Sequence, residues 1–266
     1  MESVSEFPPG AVVGKDSIRI NDIQFKINYS ADMLTMESAA ESFVLPKTFE
    51  MVSYYYRLGQ TASIKNIVDL GIFKGGSAAL FHLLYRPEKL VALDISDKRE
   101  QALDGYIEKH FARDTLRPFY GYDQGNGPRL QELIRTEFGA VPLDLVVDDA
   151  SHAYSLTRAS FNTLFPYLRP GGTYVIEDWG WAHWDGWAHM PSDYQQSGGL
   201  FPGQPAMTNL IFELIMAAAT SPGVIARVSV TFNMAVIEKG PDTVDPLTFD
   251  VGAYHVARGH QWQPIL

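Results

Sequence analysis

Short apolar segments alternate with longer amphipathic segments from residue 64 to residue 177, and this alternation limits the possible folds more than any other feature of the chain. The apolar segments are rich in Val, Ile and Leu, which is typical of buried strands. Strands that alternate with helices form a parallel sheet covered by helices on both faces. We predict strands at 64–70, 90–93, 118–122, 143–147 and 173–176, and helices at 75–85, 96–110, 129–138 and 154–168.

The segments on either side of this region add further elements. Residues 18–27 alternate enough for a short strand or a hairpin, and residues 46–58 have a helical pattern. A helix at 206–219 precedes strands at 224–230 and 234–237, whose short connection predicts an antiparallel hairpin. The predicted fold class is therefore α/β, with a doubly wound, mainly parallel sheet and a C-terminal antiparallel hairpin.

Acidic residues stand at the carboxyl end of four of the five central strands. Parallel sheets of this kind bind their ligands beyond the carboxyl ends of the strands, so these carboxylates are candidate site residues. They are Asp69, Asp94, Asp148, Asp149, Glu177 and Asp178.

The composition excludes several classes of function. The formal net charge of −10 disfavours a nucleic-acid partner, because carboxylates repel phosphates. The absence of cysteine excludes disulfides, zinc–thiolate sites and iron–sulfur clusters. The N-terminus shows no signal-peptide pattern and no apolar run reaches the length of a membrane span. We therefore expect a soluble, cytoplasmic protein without membrane or nucleic-acid partners.

The segment from Asp69 to Ser77 follows a buried strand and opens a helix, with Gly71 and Gly75 placed for a tight turn close to a ligand. The dinucleotide fingerprint GxGxxG is absent, because Phe73 stands at its second glycine. A cofactor without phosphate, held by carboxylates, fits this loop better than a dinucleotide.

Four acids are candidate cofactor ligands around this loop. Asp69 could bind the ammonium of a methionine-type group, and Asp94 a ribose hydroxyl. Asp123 lies where an adenine would rest. We place Asp148 with them, although it could also orient a base or serve as a fourth acid. The alternative is that all are ordinary loop acids beside turn glycines.

At this point the chain resembles a known family. The strand–DxGxxxGxS–helix pattern, followed by an acid that ends the second strand, is similar to the class I S-adenosylmethionine-dependent methyltransferases, which have a Rossmann-like fold. The narrower resemblance is to the macrocin O-methyltransferase and cephalosporin-hydroxylase-like group, over residues 64–180. The more specific segments that carry it are Val147–His152, Phe165–Gly172 and Tyr174–Asp178. Ala150 departs from the family, which often has glycine there.

The resemblance implies a divalent metal, Mg²⁺ or another cation, held by Asp149, Glu177 and Asp178. Carboxylate oxygens with open positions for other ligands suit Mg²⁺. It also implies that His152 is the general base, since an imidazole can take a proton near neutral pH. The alternative for His152 is a histidine that caps the helix or orients the metal ligands.

A cluster of tryptophans follows the metal-binding motif directly. We interpret Trp179, Trp181 and Trp184, with Trp187 beyond them, as an aromatic wall for a sugar acceptor in a substrate loop at 179–205. The alternative is that they pack against the C-terminal segment or a partner subunit.

The predicted organisation has three parts. Residues 1–60 are an N-terminal segment, interpreted as a substrate lid or an oligomer contact. Residues 61–240 are the methyltransferase core, and residues 241–266 are a C-terminal tail. Because relatives often form homo-oligomers, we expect one here.

The predicted function is Mg²⁺-dependent methylation of a sugar hydroxyl on a glycoside, polysaccharide or antibiotic, so the expected partner is a small-molecule or oligosaccharide acceptor. One alternative is a catechol-type phenol O-methyltransferase, which would depend less on His152. Another is a non-catalytic module that binds a small molecule or glycan. Oxygenase chemistry is discounted, because the sequence shows no His–carboxylate–His iron triad.

Overall fold

The computed structural model describes residues 6–184, 205–257, 260–261 and 263–264. Contacts divide the chain into two compact units, Met1–Gly121 and Tyr122–Leu266. Across the described residues, every helix falls short of the length and apolarity that crossing a bilayer requires. The boundary between the two units therefore lies inside the predicted core of 61–240. The division into N-terminal segment, core and C-terminal tail stays a prediction.

The first unit begins with a sheet of four short strands. They are β1 (Val12–Val13), β2 (Ser17–Ile20), β3 (Ile23–Ile27) and β4 (Ser42–Leu45). Strands β2 and β3 form the expected hairpin, and β4 pairs with β3 in parallel. Ile18, Phe25 and Phe43 are fully buried, so the inward side chains of this sheet form a core.

Parallel strands and helices fill the rest of the first unit. The order is α1 (Phe49–Thr61), β5 (Asn66–Leu70), α2 (Gly76–Tyr85), β6 (Lys89–Asp94), α3 (Gln101–Lys109) and β7 (Leu116–Tyr120). Strand β6 pairs in parallel with β5 on one side and with β7 on the other. All five residues of β5 are buried, as a strand covered on both faces requires.

The second unit continues the same alternation and ends with the hairpin. Its order is α4 (Gly127–Phe138), β8 (Leu143–Asp148), α5 (Tyr154–Leu164), β9 (Leu168–Glu177), α6 (Thr208–Thr220), β10 (Ile225–Val230) and β11 (Met234–Lys239), then the short strands β12 (Val256–Ala257) and β13 (His260–Gln261). Strands β8 and β9 are parallel, whereas β11 is antiparallel to both β9 and β10.

The predicted fold class is confirmed. The protein has a mostly parallel sheet of seven strands, and the antiparallel hairpin lies near the C-terminus as expected. Six α-helices belong to the described residues.

Two predicted boundaries were wrong for local reasons. The helix expected from Ser96 begins at Gln101, because the Glu100 carboxylate caps it by accepting a hydrogen bond from the backbone N–H of Ala102. The helix expected to reach Leu168 ends at Leu164, since Pro166 lacks the N–H that a helix needs.

Strand β9 also begins earlier than predicted. Leu168 already pairs with Leu143, and the register then shifts, so that Thr173 is the partner of Leu145. The residues between them include Gly171, whose φ of 71° lies in the left-handed region. Such an irregularity interrupts the apolar pattern from which a strand is recognised.

The entry into α2 tolerates no side chain at Gly76. A Cβ atom there would lie 2.3 Å from the carbonyl oxygen of Val44, a backbone atom that cannot turn away. We predict that Gly76→Ala lowers the free energy of unfolding by about 2–3 kcal/mol, as overpacking in a core does. Denaturant unfolding measures this.

Gly105→Ala, inside α3, is the matched control. Its Cβ would meet only the Cβ of Ala40, at 3.1 Å. Alanine also gains about 0.5–1 kcal/mol of helix propensity over glycine. An equal loss of stability in both variants would contradict the steric explanation.

Candidate active site

The glycine-rich loop of the first unit contains the predicted cofactor residues Asp69, Gly71, Gly75 and Ser77. Asp69 is fully buried at the end of β5, and its Oδ2 accepts a hydrogen bond of 2.7 Å from the Ser77 hydroxyl. Gly71 and Gly75 have φ values of 103° and 78°, in the region that glycine enters without strain. The loop therefore turns as predicted, between a buried carboxylate and the start of α2.

The carboxylate of Asp94 closes this loop. Its Oδ2 accepts hydrogen bonds from the backbone N–H groups of Ile72 (3.0 Å) and Phe73 (2.9 Å), and its Oδ1 accepts one from Ser96 (2.8 Å). Asp94 is half-buried at the end of β6. Oδ1 keeps one lone-pair position beyond these bonds, so the structure is compatible with the predicted contact to a ribose hydroxyl.

Two predicted cofactor residues belong to the second unit. Asp123 is exposed, and its Oδ1 accepts a hydrogen bond of 2.8 Å from the N–H of Gly125, which forms a local turn. Asp148 is buried at the end of β8 and accepts hydrogen bonds from Ser160 and Tyr174. Burial raises the pKa of Asp148 to about 6, against the lowering by those hydroxyls. The cofactor role of both residues stays a prediction.

The metal-binding candidates come together in the second unit. Strands β8 and β9 are neighbours, as the prediction required, and their register sets Asp148 beside Ile176. Ligand atoms of Asp149, His152 and Asp178 lie within 4.8 Å of one another, and all three residues are half-buried. His152 Nε2 is 3.8 Å from Asp149 Oδ1. An imidazole and two carboxylates can hold a divalent cation between them.

Glu177 differs from the other predicted metal ligands. It is fully buried as the last residue of β9, and among the described residues the converging group contains His152 instead. Successive residues of a strand point to opposite faces, so Glu177 and Asp178 need not serve one site in the same way. The ligand role of Glu177 stays a prediction.

Two members of the converging group have left-handed backbone conformations. The φ values are 52° at His152 and 54° at Asp178, which are uncommon for residues other than glycine. The carbonyl oxygen of His152 accepts a hydrogen bond of 3.2 Å from the indole of Trp181, and the N–H of Asp178 donates one of 2.7 Å to the carbonyl of Asn233. Strain of this kind persists only where surrounding contacts hold it, and such places cluster at functional sites.

The tryptophans predicted to bind substrate contact other segments of this chain. Trp181 is buried, Trp179 donates its indole N–H to the carbonyl of Thr231 (2.9 Å), and Trp184 stacks on Phe232 with ring centroids 4.7 Å apart. The partners of Trp179 and Trp184 lie in the turn between β10 and β11, within the predicted core of 61–240. A role in substrate binding stays a prediction, and Trp187 lies outside the described residues.

Sequence reasoning missed two residues that hold the candidate site. Gln124 is buried and hydrogen-bonds both Asp148 and the backbone of Ser151. Asn233, in the turn between β10 and β11, accepts from Asp178 through its backbone. No motif marks either residue, because these contacts join segments far apart in sequence.

Comparison with known proteins identifies the class. Residues 68–179 match the family described as a methyltransferase domain. A solved structure of the methyltransferase MycE from the mycinamycin biosynthetic pathway, in complex with Mg, SAH and Mycinamycin VI, is 28% identical, with a TM-score of 0.51 over 71% of this chain and 48% of that one. Residues 68–179 thus match a methyltransferase domain, and the fold is that of solved class I methyltransferases.

The narrower resemblance is confirmed as well. The chain is 33% identical over 172 residues to mycinamicin VI 2''-O-methyltransferase of Micromonospora griseorubida. It is 33% identical over 181 residues to demethylmacrocin O-methyltransferase of Streptomyces fradiae. Each alignment covers 62% of this chain and 40% of the relative, so the chain matches less than half the length of these curated relatives.

The contact between Trp181 and His152 leads to a prediction about stability. Trp181→Phe removes the indole donor and leaves the carbonyl of His152 without that bond, which we expect to lower the free energy of unfolding by about 1–2 kcal/mol. Trp179→Phe is the control, because its indole hydrogen bond lies at the surface. Chemical denaturation compares the two variants, and an equal loss would contradict the special role of Trp181.

Proposed function

We propose that this chain is an S-adenosylmethionine-dependent, Mg²⁺-dependent O-methyltransferase that acts on a sugar hydroxyl. One observation carries the proposal. Asp149, His152 and Asp178 converge within 4.8 Å inside a domain that matches the methyltransferase family. Carboxylates and a potential base gathered at the carboxyl ends of parallel strands are what hydroxyl activation requires.

The donor set fits a hard divalent cation. Asp149 and Asp178 would each supply one carboxylate oxygen, with Glu177 as a further candidate beside Asp178. Half-burial leaves room for water and for acceptor oxygens, which Mg²⁺ keeps among its ligands. When bound, the ion supplies positive charge that lowers the pKa of a nearby hydroxyl.

The methyl donor would be held by the glycine-rich loop of the first unit. S-adenosylmethionine supplies an electrophilic methyl group on a sulfonium. Asp94 would bind the ribose, while Asp69, fixed by Ser77, would face the amino-acid end. The related MycE methyltransferase was solved in complex with SAH, the demethylated product of this cofactor.

His152 would accept the proton. Its Nε2 takes the hydrogen of the acceptor hydroxyl as the oxygen forms its bond to the methyl carbon and the sulfur–methyl bond breaks. The products are a methyl ether, S-adenosylhomocysteine and a protonated imidazole. Asp149, whose Oδ1 lies 3.8 Å from Nε2, stabilises the positive imidazolium.

The names of the relatives support a sugar as the acceptor. They include a 2''-O-methyltransferase of mycinamicin VI and a 2'-O-methyltransferase of a rhamnosyl tetracenomycin C. An aliphatic hydroxyl is much less acidic than a phenol, so a metal together with a base suits a sugar better than a catechol. Homo-oligomerisation and a cytoplasmic location stay predictions.

Asp149→Asn tests the metal. Replacing a carboxylate with a neutral amide weakens the metal site, and we expect Mg²⁺-dependent methylation of a glycoside to fall at least about 100-fold. Calorimetric titration with S-adenosylhomocysteine should give the same affinity for variant and wild type. Glu238→Gln, which removes an exposed carboxylate paired with Arg227, is the matched control.

The outcomes of this experiment separate the parts of the proposal. Wild-type protein that does not bind S-adenosylhomocysteine, with or without Mg²⁺, would contradict methyl transfer. Methylation of a catechol but of no glycoside would replace the sugar acceptor with a phenol. Lost S-adenosylhomocysteine binding in Asp149→Asn would contradict the separation of the metal and cofactor residues.

His152→Asn tests the base. Asparagine tolerates the left-handed conformation of this position but cannot accept the proton, so the backbone is preserved. We expect kcat to fall about 10²–10⁴-fold, the usual contribution of a general base, with little change in acceptor KM or in metal affinity. A large loss of metal affinity would instead make His152 a ligand.

A further inference from the structure

We propose that Gln124 is a positioning residue that sets the loop between β8 and α5, the loop that carries Asp149 and His152. This inference rests on the proposed function, because the loop matters only if these two residues bind a metal and accept a proton. Gln124 belongs to none of the motifs that carry the family resemblance.

The side-chain amide of Gln124 joins three partners. Its Nε2 donates to Asp148 Oδ1 at 3.1 Å and to the Ser160 hydroxyl at 3.2 Å. Its Oε1 accepts the backbone N–H of Ser151 at 2.8 Å. Gln124 is 6% exposed, so these hydrogen bonds are shielded from water and restrict the positions of the groups that they join.

The partner that matters is Ser151. It is two residues after Asp149 and one residue before His152, so its backbone N–H belongs to the short segment that joins the two functional residues. The bond from Gln124 therefore fixes the middle of the loop to the end of β8, where Asp148 is the last residue. His152 is held again by Trp181, through its carbonyl oxygen. The loop is thus fixed at two successive residues by side chains from other segments.

Glutamine is the side chain that suits this position. One end of its amide must donate to a carboxylate and the other must accept an N–H, and an amide offers both at fixed separation. Glutamate would set a carboxylate oxygen against Asp148, and asparagine is one methylene too short. A methionine keeps the volume but leaves the N–H of Ser151 without this acceptor.

Loss of the hydrogen bond between Gln124 and Ser151 would lower the affinity of the site for a metal ion. The ligand atoms of Asp149, His152 and Asp178 lie within 4.8 Å of one another, and a small displacement of the loop moves the first two relative to the third. Residues that orient metal ligands typically change metal affinity by about 10–100-fold when replaced. We expect an effect of that size from Gln124.

The experiment is a titration of the full chain with Mn²⁺, followed by the electron paramagnetic resonance signal of the free ion. Gln124→Met should weaken Mn²⁺ binding about 10–100-fold relative to wild type. Tyr174→Phe is the matched control. It removes another hydrogen bond to Asp148 from the same buried network but keeps all the hydrogen bonds of Gln124. Its Mn²⁺ affinity should stay within about threefold of wild type.

Each result decides a separate point. Equal Mn²⁺ affinity in wild type and Gln124→Met overturns the positioning role, and so does an equal loss in Gln124→Met and Tyr174→Phe. Wild-type protein that binds no Mn²⁺ overturns the proposed metal site, and with it this inference. If Gln124→Met does not fold, as judged by thermal unfolding, Gln124→Asn replaces it, with the same loss of affinity expected.

Discussion

The candidate site depends on the parallel pairing of β8 with β9. Because the register sets Asp148 beside Ile176, strands β8 and β9 end at the same edge of the sheet. Asp149 and Asp178 then emerge together, and their carboxylates lie within 4.8 Å of each other. A shift of one residue in this register would turn one of the acids to the other face of the sheet. The apolar faces that fix the register therefore also fix the site.

A second constraint acts where the strands end. His152 and Asp178 both have positive φ, which costs about 1–2 kcal/mol per residue outside glycine. Bonds from Trp181 to the carbonyl of His152 and from Asp178 to Asn233 hold these conformations. The hairpin of β10 and β11 thus has a local purpose, since its turn supports the residue that follows β9. The stability of the surrounding core offsets the cost of the left-handed conformations at His152 and Asp178.

The sequence was sufficient for the fold class and for most of the candidate site residues, because both follow from local patterns. Strand β5 is a short, fully buried segment rich in β-branched residues, and Asp94 stands at the end of the next strand. The start of α3 and the length of β9 could not be predicted, since a capping carboxylate and a shift of register decided them. Gln124 was missed for a related reason. Its proposed role depends on the orientation of its side-chain amide toward Ser151, and the spacing of residues in the sequence does not reveal that orientation.

The geometry is compatible with two roles for His152, metal ligand and general base, and these roles exclude each other. The Nε2 atom, 3.8 Å from Asp149, has one lone pair when the neutral imidazole carries its hydrogen on Nδ1. If that lone pair binds a cation, it cannot accept a proton, and the acceptor must lose its proton to another group. If it stays free, the carboxylates alone hold the ion and the imidazole lies beside it as a base. The left-handed backbone is shared by His152 and by Asp178, a proposed metal ligand, so it belongs to the site as a whole. What separates the two roles is whether loss of the imidazole lowers the affinity for the metal or the rate of proton transfer.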